Sequence, residues 1–165
     1  MSEEWLMKKV PGYAALPCPD RDAIKTFALL WSLFEAKVMG TEASARKIAL
    51  AVDQWNAAGA LASELYDGEV AYFRDRYFQN GEFTFRFDNL QLRKWDMPDL
   101  IAAGIRGDAD TPRERVLTVL LIIWRFRNNL FHGEKWAYDL QGQLDNFSHA
   151  NAVLMRVLER HASMA

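Results

Sequence analysis

Residues Thr111 to Gly133 read TPRERVLTVLLIIWRFRNNLFHG, and this stretch decides the fold. Its first four residues form a helix start. The Thr111 hydroxyl can accept from the N–H of Glu114, the Glu114 carboxylate can reach back to the N–H of Thr111, and Pro112 occupies the first helical position, where a missing N–H costs nothing. Leu117, Leu120, Leu121, Ile123 and Trp124 then leave little polar surface. The pattern predicts a helix from Pro112 to Phe131 or His132, ended by Gly133 and buried at the centre of a bundle. The longest apolar run, Val116 to Trp124, is interrupted by Thr118. It falls well short of the roughly 20 residues that a membrane span needs, so a core helix is the better reading.

Outward from this helix the chain reads as further helices. Asp20 is a candidate cap for a helix from about Arg21 to Gly40, with Ile24, Phe27, Ala28, Trp31, Phe34 and Val38 along one face. Thr41 can cap a second, carrying Ile48, Val52 and Trp55 and stopping near Gly59. A third stretch spans about Leu61 to Phe78, with a possible break at Asp67-Gly68 and an end at Asn80-Gly81. From 82 to 92 the period changes: Phe83, Phe85 and Phe87 alternate with Thr84 and Arg86, as in a short extended segment. A short helix is expected after Pro98, then a loop from Gly104 to Asp110. A last helix, about Leu140 to Ala162, presents Leu144, Phe147, Asn151, Leu154 and Leu158 inward. The fold class is all-α, an up-and-down bundle of four to five helices.

The chain has 165 residues, 50% of them hydrophobic and 25% charged, with six Trp. This is enough for one domain over 1–165 with a substantial core; residues 1–19, which hold three of the five prolines, read as an extended N-terminal arm. A net charge of −2 supplies no global basic field, so any nucleic-acid binding must use a local patch. The lone cysteine, Cys18, lies between Pro17 and Pro19 and has no intramolecular disulfide partner, so no redox or metal role is expected. The first 20 residues place acids before lysines and lack a continuous apolar core, unlike a signal peptide. The expected location is the cytoplasm, with no membrane association.

The chemistry concentrates where the Thr111–Gly133 helix turns polar, at Arg127-Asn128-Asn129-Leu130-Phe131-His132. One reading is structural: cations suit a helix C-terminus, and His or Asn before Gly is ordinary capping. The other is catalytic. Asn128 and His132 are i, i+4 and share a face, whereas Arg127 points about 140° away from His132 on a regular helix. A single helix therefore gathers Arg and His around one phosphate only if the Arg wraps round, and a second copy facing the first solves the same problem. His132 titrates near neutrality and suits proton transfer to and from the 2′- and 5′-oxygens of RNA. Arg127 offers a planar fork to phosphate oxygens and to transition-state charge, and Asn128 can orient either partner. No metal-ligand spacing occurs among the three histidines and one cysteine, so no cofactor is expected. Arg125 and Lys135 flank the motif as candidate phosphate ligands. Glu35, on the first aromatic-rich helix, can pair with Arg127 or face solvent. Residues 113–135 carry Arg113, Arg115, Arg125, Arg127 and Lys135 against Glu114 and Glu134, a local excess suited to a small phosphate patch. His149 and His161 read as structural or exposed.

RNNLFHGEK at the end of a hydrophobic helix, with Arg127, a polar residue directly after it and His132 five positions on, resembles the signature of the HEPN superfamily, the higher eukaryote and prokaryote nucleotide-binding domains. FALLWSLFEAKVMG in the first helix, the all-helical order and a helix after the motif are similar to that family's stand-alone bacterial members. The sharp part of the likeness covers about Thr111 to Trp136. The resemblance implies a homodimeric, metal-independent endoribonuclease acting on single-stranded or loop RNA. It implies service as a toxin or in defence against phage, with a cognate antitoxin or defence-system partner. Arg127 and His132 match the catalytic pair and Asn128 the polar position. In the subgroup paired with nucleotidyltransferase antitoxins a Tyr stands two positions after the His; here it is Glu134, and such an antitoxin is not expected. The alternatives are a catalytically silent module that binds nucleotide, RNA or protein, and a helical assembly protein in which Arg127 and His132 merely cap a helix.

Overall fold

Helix formation at Thr111 proceeds through the expected reciprocal cap. In the computed structural model the Thr111 N–H and hydroxyl donate to Glu114 Oε2 at 2.9 and 2.8 Å, and the Glu114 N–H donates to Thr111 Oγ1 at 3.3 Å. The structure describes residues 1–10, 12–131 and 142–162. Among these the chain is all-α, with eight α-helices and one two-stranded hairpin. The helices are α1 (Ser2–Lys9), α2 (Cys18–Lys37), α3 (Ala45–Ala57), α4 (Asp67–Tyr77), α5 (Phe85–Asp88), α6 (Pro98–Arg106), α7 (Pro112–Phe131) and α8 (Leu144–His161). The strands are β1 (Phe78–Gln79) and β2 (Glu82–Phe83), paired antiparallel. No helix among the described residues is long and apolar enough to cross a membrane.

The chain divides into two compact units, Met1–Val38 with Arg127–Ala165, and Met39–Phe126. In the first, α2 packs on α8. Phe27 meets Phe147 with ring centroids 5.1 Å apart, and the Asn151 amide donates to the Ala23 carbonyl at 3.0 Å. Phe27, Trp31 and Phe34 of α2 are buried, as are Ala150, Val153, Leu154, Val157 and Leu158 of α8. Both sets follow helical spacing, and burial of these side chains contributes on the order of 2 kcal/mol each for the larger ones.

The second unit is built on an aromatic cluster in which Phe73 stacks on Tyr77 at 6.0 Å and meets Phe126 edge-on at 5.8 Å. Arg74 joins α4 to the end of α6, with Nε donating to the Gly104 carbonyl at 2.9 Å and Nη2 to Asp110 at 2.7 Å. Arg115 pairs with Asp67, and Arg113 with Asp53.

Several boundaries differ from the sequence expectation. The N-terminal segment is not an extended arm: it forms α1 and a 3-10 turn at Tyr13–Ala15. The first three prolines all follow α1, and Glu3 and Glu4 at its start with Lys8 and Lys9 at its end complement the helix dipole. Helix α2 starts at Cys18 rather than Arg21 because Pro19 fits the first turn, and Asp20 is a buried residue of that turn rather than a cap. Ser44, not Thr41, caps α3, accepting from the Lys47 N–H at 3.2 Å. The break near Asp67 is present as a 3-10 turn, Ser63–Tyr66, leading into α4. The extended segment expected over 82–92 shrinks to the two residues of β2. Phe83, the last residue of β2, stacks on Phe87 of α5 with centroids 4.2 Å apart, and this contact folds the turn of α5 back on the hairpin in place of continued period-two alternation.

Candidate functional site

The last residues of α7 present Arg127 to the inner side of α2. Arg127 Nη2 lies 3.6 Å from Glu35 Oε1, with the two side chains 29% and 18% exposed. Nη1 donates to Asn128 Oδ1 at 3.2 Å, and the guanidinium carbon sits 5.3 Å from the centroid of the Phe131 ring. The guanidinium is thus fixed by an acid from α2, by the next residue's amide, and by an aromatic face one helical turn on. Its Nε is buried with no hydrogen-bond partner among the described residues. Asn128 is buried and its side-chain oxygen orients Arg127. His132 and Lys135 lie outside the described residues, as do Gly133 and Glu134.

Arg125 differs from its expected role. Its side chain is 2% exposed, with Nε donating to the Leu90 carbonyl at 2.8 Å and Nη1 lying 3.4 Å from Asp96 Oδ2. It offers no surface to a phosphate. The physical reason is depth: every residue of α7 from Val116 to Phe126 is buried, so an arginine within that run is enclosed whichever face it takes, and its partners are the Leu90 carbonyl and Asp96. Glu35, by contrast, takes the pairing that its position in the first aromatic-rich helix allowed.

Two features of the site lay outside the sequence reading. Phe131 is 54% exposed although it ends an apolar helix, and its i, i+4 relation to Arg127 was the available signal for their contact. Beside it opens an apolar cleft of about 300 Å³ lined by Leu6, Tyr13, Leu16, Ile24, Leu130 and Phe131. Leu6 and Tyr13 come from the segment read as extended, so nothing in the pattern placed them here. Arg21 and Lys25 also line the cleft, which has room for one planar or apolar group beside Phe131. His149 is half-buried on α8, and burial lowers His161 below its ordinary value.

Comparison of the chain with protein-family models, with curated proteins and with solved structures finds no match. The functional reading therefore rests on the residues and geometry of this chain.

Proposed function

We propose that this chain is a metal-independent endoribonuclease of HEPN type that works as a cytoplasmic homodimer, in toxin or phage-defence service. The observation that carries the reading is the setting of Arg127. A solvent-reachable guanidinium, held by Glu35, Asn128 and Phe131, stands in the last turns of α7, five positions before His132 in sequence. An arginine fixed in this way meets a phosphate without first being ordered, which is the condition for stabilising charge that develops in the transition state.

In the proposed reaction His132 of one chain takes the proton of the RNA 2′-hydroxyl. The 2′-oxygen attacks the adjacent phosphorus, the P–O5′ bond breaks, and a protonated His132 from the second chain supplies the proton to the leaving 5′-oxygen. Arg127 holds the non-bridging oxygens throughout. The products carry a 2′,3′-cyclic phosphate and a 5′-hydroxyl. The substrate is single-stranded or loop RNA, where the 2′-oxygen can swing in line with the leaving group.

The test is cleavage of a single-stranded RNA in EDTA by the wild-type chain, Arg127→Ala and His132→Ala. The wild type is expected to cut and each folded variant to lose at least about 100-fold, in line with loss of a group that stabilises the transition state or transfers its proton. An equimolar mixture of the two variants is expected to stay inactive, because each mixed dimer holds a single His132 and the proposed site draws its base and its acid from two chains. Undiminished cleavage by both variants would remove the pair from the mechanism, and tight nucleotide binding without turnover would favour a silent binding module.

A further inference from the structure

Arg125 and Asp96 form a buried ion pair that the proposed reaction does not use. Arg125 Nη1 and Asp96 Oδ2 are 3.4 Å apart, with side chains 2% and 0% exposed. The same carboxylate oxygen accepts the Arg93 N–H at 2.6 Å, and Arg125 Nε donates to the Leu90 carbonyl at 2.8 Å. The segment from Leu90 to Asp96 is thereby clamped at both ends and at its middle to one guanidinium–carboxylate pair. Taking two charges out of water is costly, and an apolar pair of similar size generally stabilises a core as well or better. What the ion pair supplies is a defined loop geometry. The backbone carries the same signature: Gln91 and Met97, neither of them glycine, bracket the loop with φ of 51° and 58°. Left-handed conformations of this kind persist in side-chain-bearing residues only where the surroundings impose them.

The held loop displays an aromatic directly after two basic residues. Trp95, in the 3-10 turn Lys94–Asp96 that ends the loop, is 66% exposed, whereas Trp31 and Trp124 are buried. Arg93 and Lys94 precede it, both exposed, and Lys94 makes no ion pair among the described residues. Earlier on the same segment Phe85 is 67% exposed, with the Arg86 guanidinium 5.0 Å from its ring centroid. From Phe85 to Trp95 there are Arg86, Arg93 and Lys94 against one acid, Asp88.

We infer that the Leu90–Asp96 loop is a preorganised binding element for single-stranded RNA. Trp95 stacks on an unpaired base while Lys94 engages a flanking phosphate, and the Arg125–Asp96 pair is the device that fixes the loop. An indole held proud of the surface reaches the face of an unstacked base and not of one inside a duplex. The exposed charge of Lys94 beside the indole, without an ion pair among the described residues, suits a phosphate backbone, whereas the core of a protein-binding hot spot is depleted of lysine. The choice of RNA as the nucleic acid rests on the endoribonuclease reading; the stacking surface does not.

The test is fluorescence anisotropy of a labelled 12-nucleotide 2′-O-methyl oligouridine, which cannot be cleaved at its blocked 2′-oxygens, against the full chain and its variants. Trp95→Ala is expected to weaken binding roughly tenfold and Trp95→Phe by less than about threefold. Lys94→Ala is expected to weaken it and to lower the salt dependence by about one ion. Both positions are exposed, and an unchanged melting temperature verifies the fold. A duplex of the same length is expected to bind weakly and to be indifferent to Trp95→Ala. Wild-type affinity in Trp95→Ala overturns the proposal, as does displacement by polyglutamate as effective as that by polyuridine, which would point to an acidic protein partner. The two readings fail separately. Trp95-dependent binding by a chain that never cleaves RNA sinks the nuclease and leaves the loop, whereas Arg127-dependent cleavage with Trp95-independent binding sinks the loop alone.

Discussion

Arg125 and Arg127 stand two positions apart on α7 and have opposite fates. Helix α7 is buried from Val116 to Phe126, so Arg125 lies within that run and Arg127 just beyond it. Sequence placed both in a basic patch because charge composition ignores direction. The partner that holds Arg125 inside, the distant Asp96, did not show in any local pattern. For Arg127 the sequence carried more: Glu35 was a stated candidate partner, and the two are an ion pair. A pair this exposed is worth about 0.5–1 kcal/mol. Glu35→Gln is accordingly expected to lower the cleavage rate roughly two- to fivefold, far less than Arg127→Ala, with little change in melting temperature. Steady-state cleavage rates of the three proteins check this, and a Glu35→Gln loss as deep as that of Arg127→Ala would make the carboxylate a direct participant.

Among the elements, those with both a cap and a period were legible. Helix α7 had a reciprocal Thr–Glu cap and a continuous apolar face, and its observed start agrees with the expectation. The 82–92 segment misled because three alternating phenylalanines satisfy period two, while the chain leaves the strand after Phe83 and Phe87 returns from α5 to stack on it. Helix α1 was missed because prolines beyond it coloured the whole arm. One close contact between elements is legible only in three dimensions. A Cβ on Gly104 of α6 would collide with the Thr118 side chain of α7, so the backbone of α6 approaches α7 there because no side chain intervenes. Gly104→Ala is expected to cost about 1–3 kcal/mol through overpacking, despite the better helix propensity of Ala. Thermal melts of Gly104→Ala and of Gly104→Ala with Thr118→Ala test this: the second change should restore part of the loss, and a Gly104→Ala protein as stable as wild type would refute the close approach.

At the scale of the whole molecule, acid should destabilise the fold. A hydrogen bond from Arg113 holds Asp53 below the ordinary carboxylate range, one from Arg74 does so for Asp110, and the Thr111 backbone N–H and hydroxyl do so for Glu114. Burial holds His161 below 6.5. All four folded values lie below the unfolded ones, so each contribution is complete above the unfolded value and is lost as pH falls toward the folded one. Melting temperature is expected to fall first below about pH 6.5, where His161 begins to resist protonation, and again below about pH 4 as the carboxylates titrate. Melts across pH 3–8 measure it, and a rise in melting temperature on acidification would contradict the assignment. The central claim, that Arg127 and His132 direct attack by the RNA's own 2′-oxygen, is tested most directly by the chemistry of the cut ends. Mass spectrometry of RNA incubated with the purified chain in EDTA is expected to find 2′,3′-cyclic phosphates and 5′-hydroxyls. Ends bearing 3′-hydroxyls and 5′-phosphates would mean that water, not the 2′-oxygen, is the nucleophile, and would contradict the account.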